Sequence, residues 1–331
     1  MTRLSRLLLH RREAGILVMI ACVTLAVGAI APRFLSLDTL RIVALAVPLV
    51  MIGAMGQMMV LLARHVDLSM GSILAFSAIV AGMLFRDLPE LPVLAGVLVA
   101  IAVGAGLGLV NGLLVVLFRL PAIIVTLGTL SLYRGLVFWI SDARQVDPQF
   151  IPRGLIALSQ TSPVPGVPWL VIIALAVAVA TWAFLDHTRL GRQIYALGSN
   201  PAAAPLRGIR VVPITLTVFA LSGALAGLAG VMYASRFGYV NPGITGVGFE
   251  FSVIAAVVIG GVSINGGVGT VLGTALGVVL LGLVSVALPI LGVSAFWQDV
   301  FNGAVIVVAL LIERWVRASG TRAMAAERDA A

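Results

Sequence analysis

Residues 186–212 read DHTRLGRQIYALGSNPAAAPLRGIRVV, and what this stretch interrupts decides the fold. Long, almost uncharged apolar segments lie on both sides of it. Within it Arg189, Arg192, Arg207 and Arg210 stand against one acid, Asp186. A basic connection of this length between apolar segments belongs on the cytoplasmic face of a membrane. It is also too long and too patterned to be a bare connector. Asn200-Pro201 followed by three alanines predicts a short helix, with Asn200 as N-cap and Pro201 at the first helical position. Gly208 ends that helix. A short helix outside the membrane, flanked by arginines, is something another protein can grip. The simpler reading is a solvated connector with the usual positive bias.

The whole chain fits this frame. Of 331 residues, 61% are hydrophobic and 10% charged, which excludes a soluble domain and predicts an all-α polytopic membrane protein. The formal charge is +8, and every one of the 21 basic residues is arginine. A P-loop needs lysine on the phosphates, so this chain cannot contain one. The arginines sit at span ends rather than in a stripe with aromatics, so the basic excess reads as topology and no nucleic-acid partner is expected. Cys22 is the single cysteine, which excludes an internal disulfide. His10, His65 and His187 lie far apart in sequence; no metal site and no catalytic residue is expected.

Ten spans are predicted: 15–31, 42–63, 68–85, 91–118, 121–140, 169–185, 213–234, 251–264, 269–291 and 296–312. The basic N-terminus reads as a start anchor rather than a cleaved signal, because Pro32-Arg33-Phe34 follows the apolar run where a small-residue cleavage site would stand. An even number of spans then puts both termini inside. Of the arginines, 14 fall on inner segments and six on outer ones, with Arg134 inside a span. That asymmetry agrees with the orientation. The chain is read as one transmembrane domain over 1–312, with the loop 186–212 inside it and a polar cytoplasmic tail at 313–331. The eighth span is too short for a plain crossing and predicts a re-entrant or broken helix. Five prolines in 141–168 predict a stiff outer lid or docking loop with no apolar period. A weak repeat at an offset of 198 aligns Val66-Asp-Leu-Ser-Met-Gly-Ser with Ile264-Asn-Gly-Gly-Val-Gly-Thr. It pairs spans one to four with spans seven to ten, a recurrent plan in transporters.

Glycines at 104, 108 and 112, and at 269, 273 and 277, form small-residue ridges that let helices pack closely in lipid. Polar groups within the spans are costly there and therefore informative. Asp67 and Ser69 open the third span, either facing a cavity between the halves or capping the helix beside Arg64. Asn111, Thr126 and Thr129 could line a polar path or bond neighbouring backbone. Arg134 is placed to snorkel outward. Glu250 and Asn265 bracket the short eighth span and are further path candidates. Asp299 is the one acid clearly inside a span, which is little for the main rival reading, an ion-coupled secondary transporter of a small polar solute.

Four stretches carry a family resemblance. They are Arg64-His-Val-Asp-Leu-Ser-Met-Gly-Ser; Leu120-Pro-Ala-Ile-Ile-Val-Thr-Leu-Gly-Thr with Leu132-Tyr-Arg-Gly; Gly191-Arg-Gln-Ile-Tyr-Ala-Leu-Gly-Ser-Asn-Pro with Gly208; and Ile254-Ala-Ala-Val-Val-Ile-Gly-Gly-Val-Ser with Gly266-Gly-Val-Gly-Thr. In these the chain resembles the permease subunits of bacterial ATP-binding cassette importers of the ribose type, in wording nearest the rhamnose and autoinducer-2 permeases. His65 departs from the small or aliphatic residue expected there. The resemblance implies import of a monosaccharide or sugar-like molecule across the inner membrane. It implies that Arg189, Gly191, Arg192, Tyr195, Gly198, Asn200, Ala203 and Gly208 couple to a separate ATP-binding subunit, which uses ATP and Mg while this chain binds no cofactor. It further implies a periplasmic sugar-binding protein and a second permease subunit, identical or homologous, with membrane lipid around them.

Overall fold

The computed structural model describes residues 3–308 and 311, excepting 165 and 295, and side chains from residue 13 onward; the tail 313–331 lies outside the described residues. The helices run α1 Arg3–Ile30, α2 Leu37–Leu62, α3 Met70–Asp87, α4 Val93–Phe118, α5 Ala122–Ile140, α6 Arg153–Gln160, α7 Trp169–His187, α8 Arg189–Ser199, α9 Ala203–Leu206, α10 Val211–Phe237, α11 Phe249–Ile259 and α12 Val271–Ile290. A further helical segment occupies 297–308. Eight of these (α1, α2, α3, α4, α5, α7, α10 and α12) are long and apolar enough to cross a membrane. With the short α11 and the segment 297–308 they account for the ten predicted spans.

Lipid-facing side chains are apolar all round the bundle, so the core is marked by small residues and buried polar groups rather than by hydrophobicity. α10 is central and packs on α2, α3 and α4. The predicted ridge on α4 meets a matching one on α10. A Cβ on Gly104 would strike Gly223 O, one on Gly108 would strike Phe219 O, and one on Gly223 would strike Gly104 O. Gly273 and Gly277 likewise abut Gly260 and Ala256 at the end of α11. Gly269 is not part of that ridge: it precedes the Thr270 N-cap of α12.

Contacts between connections sort the two ends of the bundle. At the end carrying α8, the Gly267 N–H donates to Leu62 O at 3.0 Å, the Tyr195 hydroxyl to Gly269 O at 3.0 Å, and Thr270 Oγ1 to Glu13 Oε1 at 2.7 Å. At the opposite end Val146 and Val240 exchange backbone hydrogen bonds, and the Arg33 guanidinium reaches Ile290 O. This is the alternation that the ten-span count requires. The two stretches aligned by the repeat begin in the connections 63–69 and 260–270, which share an end, and each connection separates a helix from a resumed one.

Two connections differ from expectation. The outer segment 141–168 contains α6, with Leu155 and Ser159 turned inward. Ser159 Oγ donates to Ser235 O at 2.8 Å and Ser235 Oγ to Leu155 O at 2.7 Å. Eight residues are too few to show a period among five prolines. In the basic loop the principal helix is α8, which precedes Asn200. Thr188 caps it by accepting from the Gly191 N–H at 3.0 Å. The helix predicted after Asn200 is the four-residue α9. Asn200 Oδ1 does accept from the Ala203 N–H at 3.0 Å, and Gly208 adopts φ +76°, as a left-handed terminator.

Candidate functional site

α2 has 26 residues, about 39 Å of helix, whereas α3 has 18, about 27 Å. The difference is made up by residues 65–69, which return into the bundle without helical structure. Irregular backbone inside a membrane protein must find its partners in protein. The Gln57 amide supplies two of them: oriented to match donors with acceptors, its nitrogen donates to Asp67 O at 3.2 Å and its oxygen accepts from Asp67 N at 3.3 Å. Thr126 Oγ1 reaches Val66 O at 3.2 Å.

Around that backbone lies a closed polar network. Asp67 Oδ1 accepts from the Ser69 N–H at 2.9 Å and from Ser69 Oγ at 2.6 Å, while Oδ2 is 3.5 Å from Ser222 Oγ on α10. Asn111 Nδ2 donates to Ser69 Oγ at 2.7 Å, and the Tyr133 hydroxyl lies 3.0 Å from Asn111 Oδ1 and from Leu107 O. The network thus ties α2, α4, α5 and α10 to the α2–α3 connection. Gln57, Asp67, Ser69, Asn111, Thr126 and Ser222 are all 0% exposed, so the assembly is a sealed bolt in this conformation. Asp67 acts as a local turn acceptor for Ser69, but without Arg64, which is exposed.

The remaining candidates lie elsewhere. Thr129 Oγ1 bonds back to Thr126 O at 3.4 Å. Glu250, at the start of α11, sits against Gly71, with Arg134 near enough for their charges to interact. Arg134 turns to the facing loop, donating to Thr245 O at 2.7 Å, rather than snorkelling. Asn265 is in the α11–α12 connection at the α8 end, its N–H on Ser263 Oγ at 3.2 Å. Asp299 is exposed. His65 packs on the Phe219 ring, centroids 5.7 Å apart, with Nε2 3.3 Å from Thr215 Oγ1.

The basic loop divides into seating and presenting residues. A Cβ on Gly191 would strike Leu185 O and Phe184 O, and one on Gly198 would strike Leu62 O, so both positions need the smallest residue to bring α8 against the spans. Tyr195 fastens α8 to Gly269 O, and burial holds its hydroxyl protonated, well above the ordinary tyrosine range. Arg189, Arg192 and Asn200 are exposed, and Ala203 is half-buried. At the tip Leu206 is 88% exposed, an apolar side chain on a polar loop. Arg64, His65, Leu197 and Asn200 line a groove beside it.

Comparison with known proteins gives this architecture a family. The family described as "Branched-chain amino acid transport system / permease component" matches residues 39–310. The autoinducer 2 import system permease protein LsrC of Salmonella typhi is 36% identical over 312 residues, 93% of this chain and 87% of the relative. The protein of that name from Photorhabdus luminescens is 34% identical over 317 residues, 94% of this chain and 92% of the relative. No solved structure matches. With eight helices among the described residues long and apolar enough to cross a membrane, and a family match across most of its length, the chain belongs to the branched-chain amino acid transport system permease component family.

Proposed function

We propose that the chain is the membrane permease subunit of an ATP-binding cassette importer that moves autoinducer-2, or a small sugar-like molecule akin to it, across the bacterial inner membrane. The observation that carries this reading is similarity to LsrC permeases over 93% of the chain. The α8–α9 loop is the coupling element: Gly191, Tyr195 and Gly198 seat it, while Arg189, Arg192, Asn200 and the Ala203–Gly208 tip meet a separate ATP-hydrolysing subunit. ATP and Mg belong to that subunit. A periplasmic binding protein delivers the solute at the opposite end, and a second permease subunit completes the pore. Closure of the ATPases pulls on α8, and the two repeat halves rock about the site between them. ATP-driven solute uptake by the reconstituted complex tests this function.

The arginine asymmetry supports a cytoplasmic place for the α8 loop and both termini. A reporter inserted near Gln193 should therefore read cytoplasmic, and one near Gln160 periplasmic. Both reporting from the same face would remove the orientation and the coupling role with it.

A further inference from the structure

The end of the bundle opposite α8 holds a cavity of about 410 Å³, between α2, the end of α10, α11, α12 and the segment 297–308. Its size falls in the range of roughly 300–1,000 Å³ usual for small-molecule sites. Val47, Val278 and Leu281 form apolar wall, and Arg236, Ser252 and Asn302 supply polar groups.

One of those groups is unsatisfied and another is charged. Asn302 is 1% exposed; its Nδ2 donates to Ser252 Oγ at 3.0 Å, but its Oδ1 has no hydrogen-bond partner among the described residues. An unpaired buried amide oxygen is costly and calls for a reason. Arg236, in the last turn of α10, is half-buried and has its guanidinium carbon 4.8 Å over the Phe237 ring. One cavity therefore combines a buried acceptor, a guanidinium, a hydroxyl and apolar wall. A solute carrying several hydroxyls on a small carbon frame matches all of these. One of its hydroxyls would donate to Asn302 Oδ1, its other oxygens would accept from Arg236, and its C–H face would lie on Val47 and Leu281.

We propose that this cavity is a solute subsite for a small polyhydroxylated molecule, with Asn302 and Arg236 as its recognition groups. The assignment rests on the importer reading and names the place where the solute pauses in the half of the membrane from which it enters.

The test is uptake of autoinducer-2, L-rhamnose and D-ribose by the full importer in proteoliposomes. Asn302→Leu should cut uptake at least tenfold, while the complex keeps its ATPase subunit and the permease melts at the wild-type temperature or higher. Asn302→Ser, which keeps a shorter polar group, should change the ratio of rates among the three solutes at least fivefold. Arg236→Met should lower uptake in the same way. Wild-type rates and ratios in these variants overturn the subsite. So does an equal fall for every solute accompanied by lower melting, since that marks a structural role. A wild-type importer that moves none of the three overturns the importer reading itself, which distinguishes the two failures.

Discussion

Gly223→Val is expected to part α10 from α4 and to cost the permease at least about 3 kcal/mol, the upper end for an overpacked site. Even a single Cβ at this position would meet Gly104 O and come within 2.9 Å of Gly108 Cα. These are backbone atoms, which cannot rotate away as a side chain can. Ser222, the next residue, holds its place in the Asp67 network only while the two helices stay in contact. The damage should therefore spread to the α2–α3 connection. Thermal unfolding of the purified permease reads the effect. Gly106→Val is the control: it lies on α4, the facing helix, with nothing within 4 Å of its Cβ position, and should stay within about 0.5 kcal/mol of the parent. Equal stability of the two variants would remove the glycine contact from the account.

Leu206→Arg should separate the permease from its ATPase without disturbing the spans. Leu206 is 88% exposed at the tip of the loop, so arginine meets no steric barrier within this chain. What it removes is an apolar anchor, and what it adds is a charge that the partner must desolvate, together worth 2 kcal/mol or more at about the hot-spot threshold. Retention of the ATPase on the purified permease should fall at least tenfold, and uptake should fall with it. Ala203→Arg, one turn back and half-buried, should act in the same direction. Gly208→Val acts through the backbone instead: φ +76° costs a β-branched residue roughly 1–2 kcal/mol and misdirects the chain into α10. Gln160→Arg, exposed at the other end, should retain the ATPase fully. Full retention in Leu206→Arg and Ala203→Arg would reduce the loop to a positively biased connector.

The spans, the short eighth helix and the glycine ridge of α4 were legible in the sequence because lipid imposes simple rules on each. A crossing needs about 20 apolar residues, and a close crossing needs small ones. The polar network was legible only in part. Asp67, Ser69, Asn111 and Thr126 stand out as polar residues in apolar surroundings, yet their meeting depends on the chain returning at 65–69. Gln57 was overlooked: its partner is the backbone of Asp67, and no side-chain pattern records that. Ser222 and Tyr133 carried no sign of their partners: a serine in a span usually bonds nearby backbone, and a tyrosine ring packs like any other aromatic. The helix in the basic loop was placed one segment too late. Asn200-Pro201 is a loud turn signal, and it drew attention from Thr188 followed by Leu190, Ile194 and Leu197, whose spacing already marks a capped amphipathic helix. Asn302 carried no signal in the sequence, because an orphaned oxygen is a property of packing.

The central claim is that this chain moves its solute on energy supplied by a separate ATPase. The rival is transport driven by an ion gradient, and the buried carboxylates Asp67 and Glu250 give that rival its chemistry. Uptake of autoinducer-2 into proteoliposomes decides between them, measured with and without the ATPase subunit, with and without ATP, and under an imposed proton or sodium gradient. The importer account predicts uptake only with the ATPase, its ATP and the binding protein together, and no response to either gradient. Gradient-driven uptake by the permease alone would contradict it.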